Sequence, residues 1–288
     1  MTILVTGHHG QVARELQRAL ASLGEVVCLG RERLDLGDPT RIRETVRALR
    51  PALIVNAAAH TAVDQAEQEP EAAFALNATA PGVLAEEAAA LGAPLIHYST
   101  DYVFDGDKPA PYVEDDAPHP LGVYGASKLA GERAIQAVGG AHLILRTSWV
   151  YSRHGRNFLL TMQRLLQEKP HLRVVADQVG APTWAGDIAD GTAELIRRWR
   201  EGRVHWGIYH FTASGETSWF GFAQAIAERL RAEGRPCASL EAIPTRDYPT
   251  PARRPLNSRL SGDKLRRDWG LALPDWRAGL DACLAAPR

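Results

Sequence analysis

Five short apolar runs, separated by segments with helical spacing, fill the first half of the chain. This alternation restricts the fold more than any other feature. The runs cover residues 3–6, 25–29, 53–55, 94–98 and 143–146. Between them, residues 11–22 place Val12, Leu16, Ala19 and Leu20 at helical spacing, and residues 40–49 put Ile42, Val46 and Leu49 on one face. Residues 71–91 read as a helix bent or restarted near Pro81, and residues 124–138 as another. Short runs buried on both sides and joined through helices build a parallel sheet with helices on both faces. Its crossovers are expected to be right-handed. Ligands of such sheets bind beyond the carboxyl ends of the strands. Gly7, Ala57, Ala58, Ala59, the stretch from Ser99 to Asp101 and that from Thr147 to Trp149 should therefore meet in one crevice.

After residue 150 the alternation loosens. Residues 158–167, 188–199 and 219–232 read as helices, and residues 174–176 and 208–211 as strands. Residues 244–259 are rich in Pro and Arg, with little periodicity. The expected division is a dinucleotide-binding domain over residues 1–150, with returns to it within about 174–212, and a smaller interleaved substrate lobe over most of 151–288. The class is α/β, a Rossmann-type doubly wound parallel sheet carrying that second lobe.

Composition narrows the function. The 288 residues are 45% hydrophobic and 23% charged, which suits a chain with a real core. A net charge of -1 argues against a general nucleic-acid or polybasic membrane binder. The three cysteines, Cys28, Cys237 and Cys283, have neither zinc nor disulfide-scaffold spacing and suit a reducing cytoplasm. The apolar runs are too short to span a membrane, and the N-terminus starts directly on a strand.

Gly7-His8-His9-Gly10-Gln11-Val12-Ala13 joins the first strand to the first helix with G-x-x-G-x-x-A spacing. Glycines there let the backbone approach a pyrophosphate, and the helix N-terminus supplies N–H donors. His8 and His9 read as surface residues. An acidic residue ending the second strand would select NAD; here Gly30 and Arg31 stand in that region. A guanidinium without the carboxylate favours a 2′-phosphate, hence NADP(H), with Arg31 ahead of Arg33. Asp35 and Leu36 are candidates for flanking the adenine, or equally loop and core residues.

Tyr124-Gly125-Ala126-Ser127-Lys128 places a phenol and an ammonium one helical turn apart. His97-Tyr98-Ser99-Thr100-Asp101 ends a strand at the same crevice. Ketone reduction needs a proton for the oxygen as hydride reaches the carbon. A nearby cation is expected to lower the tyrosine pKa from about 10 towards neutrality. Lys128 also suits the nicotinamide ribose, and Thr100 the substrate oxygen.

On these motifs the chain resembles the extended short-chain dehydrogenase/reductases. Further motifs are the run from Asn56 through His60 to Asp64, Tyr98 through Phe104 to Gly106, and Arg146-Thr147-Ser148-Trp149-Val150-Tyr151. Asp177 through Gly180 to Thr183 and Tyr248 through Arg254 to Leu260 complete them. Within that group the chain is similar to the dTDP-4-dehydrorhamnose reductase family over nearly its whole length. The resemblance implies reduction of the 4-keto group of dTDP-4-dehydro-L-rhamnose to dTDP-L-rhamnose by NADPH, with NADH also accepted in the family. It implies Tyr124 as proton donor, Lys128 as its partner and cofactor anchor, and Thr100 as ligand of the substrate oxygen. Asp101 and Trp149 would line the sugar pocket. Gly10, Gln11, Val12, Ala59, His60 and Thr61 would contact the cofactor, with Gly7, Ala57, Ala58 and Tyr98 beside them.

The dehydratase relatives carry Thr-Asp-Glu at the strand end, whereas Tyr102 follows Thr100-Asp101 here, which disfavours elimination chemistry. Two rivals stay open: a non-catalytic NADP-binding regulatory subunit, and a reductase of another nucleotide-linked keto-sugar. The Thr100, Tyr124 and Lys128 set argues against the first. Arg253, Asn257 and Arg259 form the candidate site for the substrate diphosphate, against a plainer alternative of salt bridges to Asp247 or Glu241. Some family members hold Mg2+ at a homodimer contact. Glu15 is the candidate ligand here, while Cys283 to Arg288 bring no carboxylate side chain, which leaves Mg2+ open.

Overall fold

The computed structural model describes residues 1–286; Pro287 and Arg288, at the end of the stretch read for a metal carboxylate, lie outside the described residues. In chain order the first half comprises β1 (Thr2–Thr6), α1 (Gln11–Leu20), β2 (Glu25–Leu29), α2 (Pro39–Leu49), β3 (Leu53–Asn56), α3 (Val63–Ala66) and α4 (Pro70–Phe74). A π turn (Ala75–Thr79) leads into α5 (Ala80–Leu91), β4 (Leu95–Thr100), a 3-10 turn (Asp101–Val103), α6 (Val123–Val138) and β5 (His142–Thr147). Then come β6 (Val150–Tyr151), α7 (Phe158–Glu168), β7 (His171–Val175), β8 (Val179–Gly180), β9 (Thr183–Trp184), α8 (Ala185–Arg200) and β10 (Gly207–His210). The remainder is β11 (Thr217–Ser218), α9 (Trp219–Ala232), β12 (Ser239–Ile243), α10 (Asp263–Trp269) and α11 (Trp276–Ala285).

The expected parallel sheet is present, with six strands in the order β10-β5-β4-β3-β1-β2 and every pairing parallel. The order reverses between β1 and β3, so the turns after Thr6 and Asn56 flank the switch point where such sheets bind ligands. One face carries a core of Ile3, Val5, Leu16, Ile96, Ile188 and Phe211, the other a core of Leu4, Ile42, Ile54, Leu84 and Ile144. Successive residues of one strand thus serve opposite layers, as a period of two requires. A separate core unites Leu159, Phe222, Ile226 and Leu280 in the second half.

The helix over residues 71–91 restarts near Pro81 as expected: five π-helical residues end at Thr79 and α5 begins at Ala80. One expectation needs correction. The strand expected at 174–176 does not return to the main sheet. It is the end of β7, which pairs in parallel with β12. Helix α8, packed on the α1 side, β10, and α10 through Leu265 and Trp269 rejoin the large sheet. No helix among the described residues is long and apolar enough to cross a membrane.

Candidate active site

The turn after β1 is shaped for a close approach. Gly7 has φ +88°, a conformation that favours glycine, and His8, His9 and Gly10 are exposed. Gly10 caps α1 with no side-chain cap, which leaves the helix N-terminus open to an anion. Gln11 and Val12 are half-buried there, and Gln11 Oε1 accepts from Asn157 Nδ2 at 2.8 Å. Ala57, Ala58 and Ala59 run beside this turn, with the Ala58 Cβ about 3.5 Å from where a Gly7 side chain would begin. These features fit a dinucleotide. Arg31 is 89% exposed and leans on Asp35 at 3.7 Å, so its guanidinium is free to reach a ligand. Leu36 is instead a core residue beneath that rim, and Asp35 also accepts from the Gly37 N–H.

Helix α6 lies close to its neighbours because glycines face them. A Cβ at Gly125 would strike the Tyr102 carbonyl, and one at Gly131 would strike that of Asn77. This close packing brings Tyr124 to Thr100, whose hydroxyl draws the phenol pKa down, and to Asp101, whose charge raises it. Burial dominates, and the phenol is pushed up to about 12. The expected lowering by Lys128 is therefore corrected. The lysine Nζ donates to the Tyr98 carbonyl at 2.6 Å and meets His97 Nε2 at 3.1 Å. Burial pushes Lys128 down to about 8, against the pull of Glu132.

Thr100 donates to Asp101 at 3.1 Å and accepts from the Tyr102 N–H. Asp101 is buried with one carboxylate oxygen unpartnered, and its pKa is pushed up to about 6. Ser258 lowers it, so the loop after β12 reaches this point. Trp149 stands at φ +47° and stacks on Trp219 with ring centres 3.7 Å apart. A Cβ at Gly180 would lie 2.8 Å from the Trp149 indole and 3.1 Å from Ser258, so these groups adjoin.

Several sequence candidates are engaged elsewhere. The Tyr98 phenol points into the core and bonds Thr192 at 2.7 Å; only its carbonyl serves the site. Asn257 has both ends of its amide taken, donating to the Lys108 and Ala110 carbonyls and accepting from Arg259. Arg259 pairs with Glu216 at 3.2 Å and bonds the Pro109 carbonyl, and Arg254 pairs with Asp64 at 2.8 Å. The salt bridges of Arg254 and Arg259 are thus real but run to Asp64 and Glu216, not to Asp247 or Glu241. Arg253 is exposed. Glu15 sits 3.4 Å from Arg18, and among the described residues no cluster of three His, Cys, Asp or Glu is disposed to hold a metal.

Sequence reasoning missed Asn77. The π turn aims it inward, where it accepts from the His60 N–H at 2.8 Å and donates to the His60 carbonyl at 3.0 Å. It also donates to Ser127 Oγ at 3.0 Å, tying the segment from Ala59 to Thr61 to α6. An Asn inside a helical run was a usable signal, because that residue type is unfavourable there and π turns gather at functional sites. Trp219 carried no such mark.

The RmlD substrate binding domain family model matches residues 1–288. A dTDP-4-dehydrorhamnose reductase of Escherichia coli K12 is 50% identical over 99% of this chain and 97% of its own. One from Burkholderia thailandensis is 49% identical over 99% and 98%. The solved dTDP-4-dehydrorhamnose reductase of Bacillus anthracis, in complex with NADP, superposes with a TM-score of 0.90 at 33% identity, covering 98% of both chains. The sugar-nucleotide reductase motifs, the switch-point cleft and these full-length matches agree: the chain belongs to the dTDP-4-dehydrorhamnose reductase family.

Proposed function

We propose that the protein reduces the 4-keto group of dTDP-4-dehydro-L-rhamnose to give dTDP-L-rhamnose, with NADPH as the reductant. The observation that carries this reading is the convergence of Thr100, Tyr124 and Lys128 at the carboxyl end of β4, in a chain matched end to end by reductases of that name. Bound at the β1 turn, NADPH supplies the hydride for the carbonyl carbon. Tyr124 donates the proton to the oxygen. Its phenol, held well above neutrality by burial and by Asp101, is in the acid form that the task needs. Thr100 orients the carbonyl oxygen, and Lys128 offers a remaining N–H to the nicotinamide ribose while a charge there eases phenolate formation.

The cofactor would be held by Gly7, Gly10, Gln11, Val12, Ala57 to Ala59, His60 and Thr61, with Arg31 at the 2′-phosphate. Asp101 and Trp149 would wall the sugar site. Arg253 is the arginine of its loop best placed to meet a diphosphate, since Arg254 and Arg259 already hold carboxylates. Residues 1–150 form the cofactor part, and most of 151–288 covers the substrate. Free thiols and a biosynthetic reductant fit a cytoplasmic enzyme.

The test is NADPH oxidation with dTDP-4-dehydro-L-rhamnose. Wild type is expected to turn over, and Tyr124→Phe to lose roughly 10²–10⁴-fold in kcat while keeping its NADPH affinity. No turnover by wild type overturns the reading; retained turnover by the variant removes Tyr124 from its role.

A further inference from the structure

Beneath the site a row of buried polar side chains crosses the sheet. Thr6, Asn56 and His97 sit abreast on β1, β3 and β4, as the strand registers pair them directly. All three are at most 1% exposed. The Thr6 hydroxyl donates to Asn56 Oδ1 at 2.5 Å and also accepts from the Ala58 N–H at 3.3 Å. Asn56 Nδ2 meets His97 Nδ1 at 2.9 Å, and His97 Nε2 meets Lys128 Nζ at 3.1 Å. A parallel strand interior is normally apolar, and buried polar groups are costly unless each finds a partner.

Hydrogen accounting shows what the row does. With Oδ1 taken by Thr6, Asn56 presents a donor to His97 Nδ1, so the neutral ring carries its proton on Nε2. That N–H faces Lys128 and can be accepted only by a neutral amine, which still donates to the Tyr98 carbonyl. If the Asn56 amide turns over, Oδ1 accepts from Nδ1–H and Nε2 becomes an acceptor for an ammonium. Both arrangements satisfy Asn56, His97 and Lys128, the second turning the Thr6 hydroxyl from donor to acceptor towards Asn56, and they differ by one proton at Lys128.

We infer that Asn56 and His97 are positioning residues for Lys128: the orientation of the Asn56 amide selects the His97 tautomer, and the tautomer is matched to the charge of the lysine. The inference rests on the reductase reading for its catalytic consequence, but not for the tautomer coupling itself. Burial holds His97 well below its ordinary pKa, so the ring stays neutral while Lys128, pushed down to about 8, titrates against it. The other titratable groups around the lysine are accounted for. Tyr124 and Glu132 share its helix, Asp101 and Tyr102 follow β4, and Arg146 of β5 is taken by Glu132. Asp64 is held by Arg254, and Glu67 by the Val123 N–H.

The experiment is 15N NMR of the histidines in the full-length wild-type protein, followed through the titration of Lys128. His97 is expected to pass from the Nδ1–H to the Nε2–H tautomer in one transition near the lysine midpoint. Asn56→Asp, whose carboxylate accepts at both ends, should hold the Nδ1–H form and move the basic limb of the kcat profile upward by about one unit. His97→Asn loses the acceptor and should move that limb downward, whereas His97→Gln, which can place an oxygen near Nε2, should return it towards wild type. A tautomer unchanged through the titration, or limbs that coincide with wild type in both Asn56→Asp and His97→Asn, overturns the inference. The NMR result needs neither a variant that folds nor a substrate. Failure of wild-type turnover would strike the reductase reading alone.

Discussion

Truncating Glu132 probes how the catalytic helix is held. Its carboxylate is fully buried and accepts from Ser99 Oγ at 2.5 Å, Arg146 Nε at 2.9 Å and Arg146 Nη2 at 2.7 Å. Three elements meet in it: α6, β4 one residue before Thr100, and β5. Arg146 is 2% exposed, its Nη1 is unpartnered, and its guanidinium lies 5.1 Å from the Phe104 ring centre. Glu132→Ala strands that cation without a counter-ion, at a cost of about 3–5 kcal/mol, with a further ~1 kcal/mol for the lost Ser99 bond. At roughly 2–4 °C per kcal/mol for a large domain, Tm should fall by roughly 8–24 °C. Urea unfolding followed by tryptophan fluorescence measures the loss. Removing both partners, as in Glu132→Met with Arg146→Met, should be less damaging than the single truncation, because no charge is left unpaired. A single-variant loss below ~1 kcal/mol, or a double variant worse than Glu132→Ala, would refute the view that an uncompensated charge sets the penalty.

Arg31→Ala should lower the NADPH-to-NADH affinity ratio by about tenfold or more, the worth of a charge-assisted bond; titration calorimetry showing equal weakening for both cofactors would exclude contact with a 2′-phosphate. Gly180→Ala drives a methyl against the Trp149 indole 2.8 Å away and should cost about 1–3 kcal/mol by overpacking, read from thermal denaturation, with KM for the sugar nucleotide raised. An unchanged Tm and KM would mean that the stack yields freely. Asp101, raised to about 6 by burial, binds its proton more tightly in the folded state than in the unfolded chain. Its own contribution to stability should therefore fall as pH rises from about 4 through about 6, and Asp101→Asn should gain on wild type over that window. Urea midpoints that keep the same spacing at pH 4 and pH 7 would contradict this.

The layered sheet was legible because each strand run is short and apolar on both sides, and each intervening helix shows one apolar face. The strand at 171–175 escaped that logic. Its inward residues Val174 and Val175 look like any buried run, and only its pairing with β12 assigns it to a separate sheet. Gly7, Thr100, Tyr124 and Lys128 were visible as motifs because their spacing is local. Asn77 was marked only by its type, an Asn inside a helical run, while its partners His60 and Ser127 lie in other segments. The reach of Ser258 to Asp101 and of Trp219 to Trp149 was hidden because each comes from a distant segment. Asn257 and Arg259 are of the chemical type the sequence asks for at a diphosphate, and in the structure their groups meet Glu216 and the backbone of residues 108–110, contacts that no local pattern announces.

The sequence by itself determined the alternation of strands and helices, the phosphate turn and the Tyr124–Lys128 pair, since each depends on spacing within a few residues of chain. Only the tertiary structure decided the electrostatics of those groups. Burial raises the phenol instead of letting the cation lower it, Glu132 and Arg146 neutralise each other beneath the site, and strand register sets Thr6, Asn56 and His97 in a row ending at Lys128. Desolvation and hydrogen-bond polarity depend on what surrounds a group in three dimensions, and that is set by which distant segments the fold brings together.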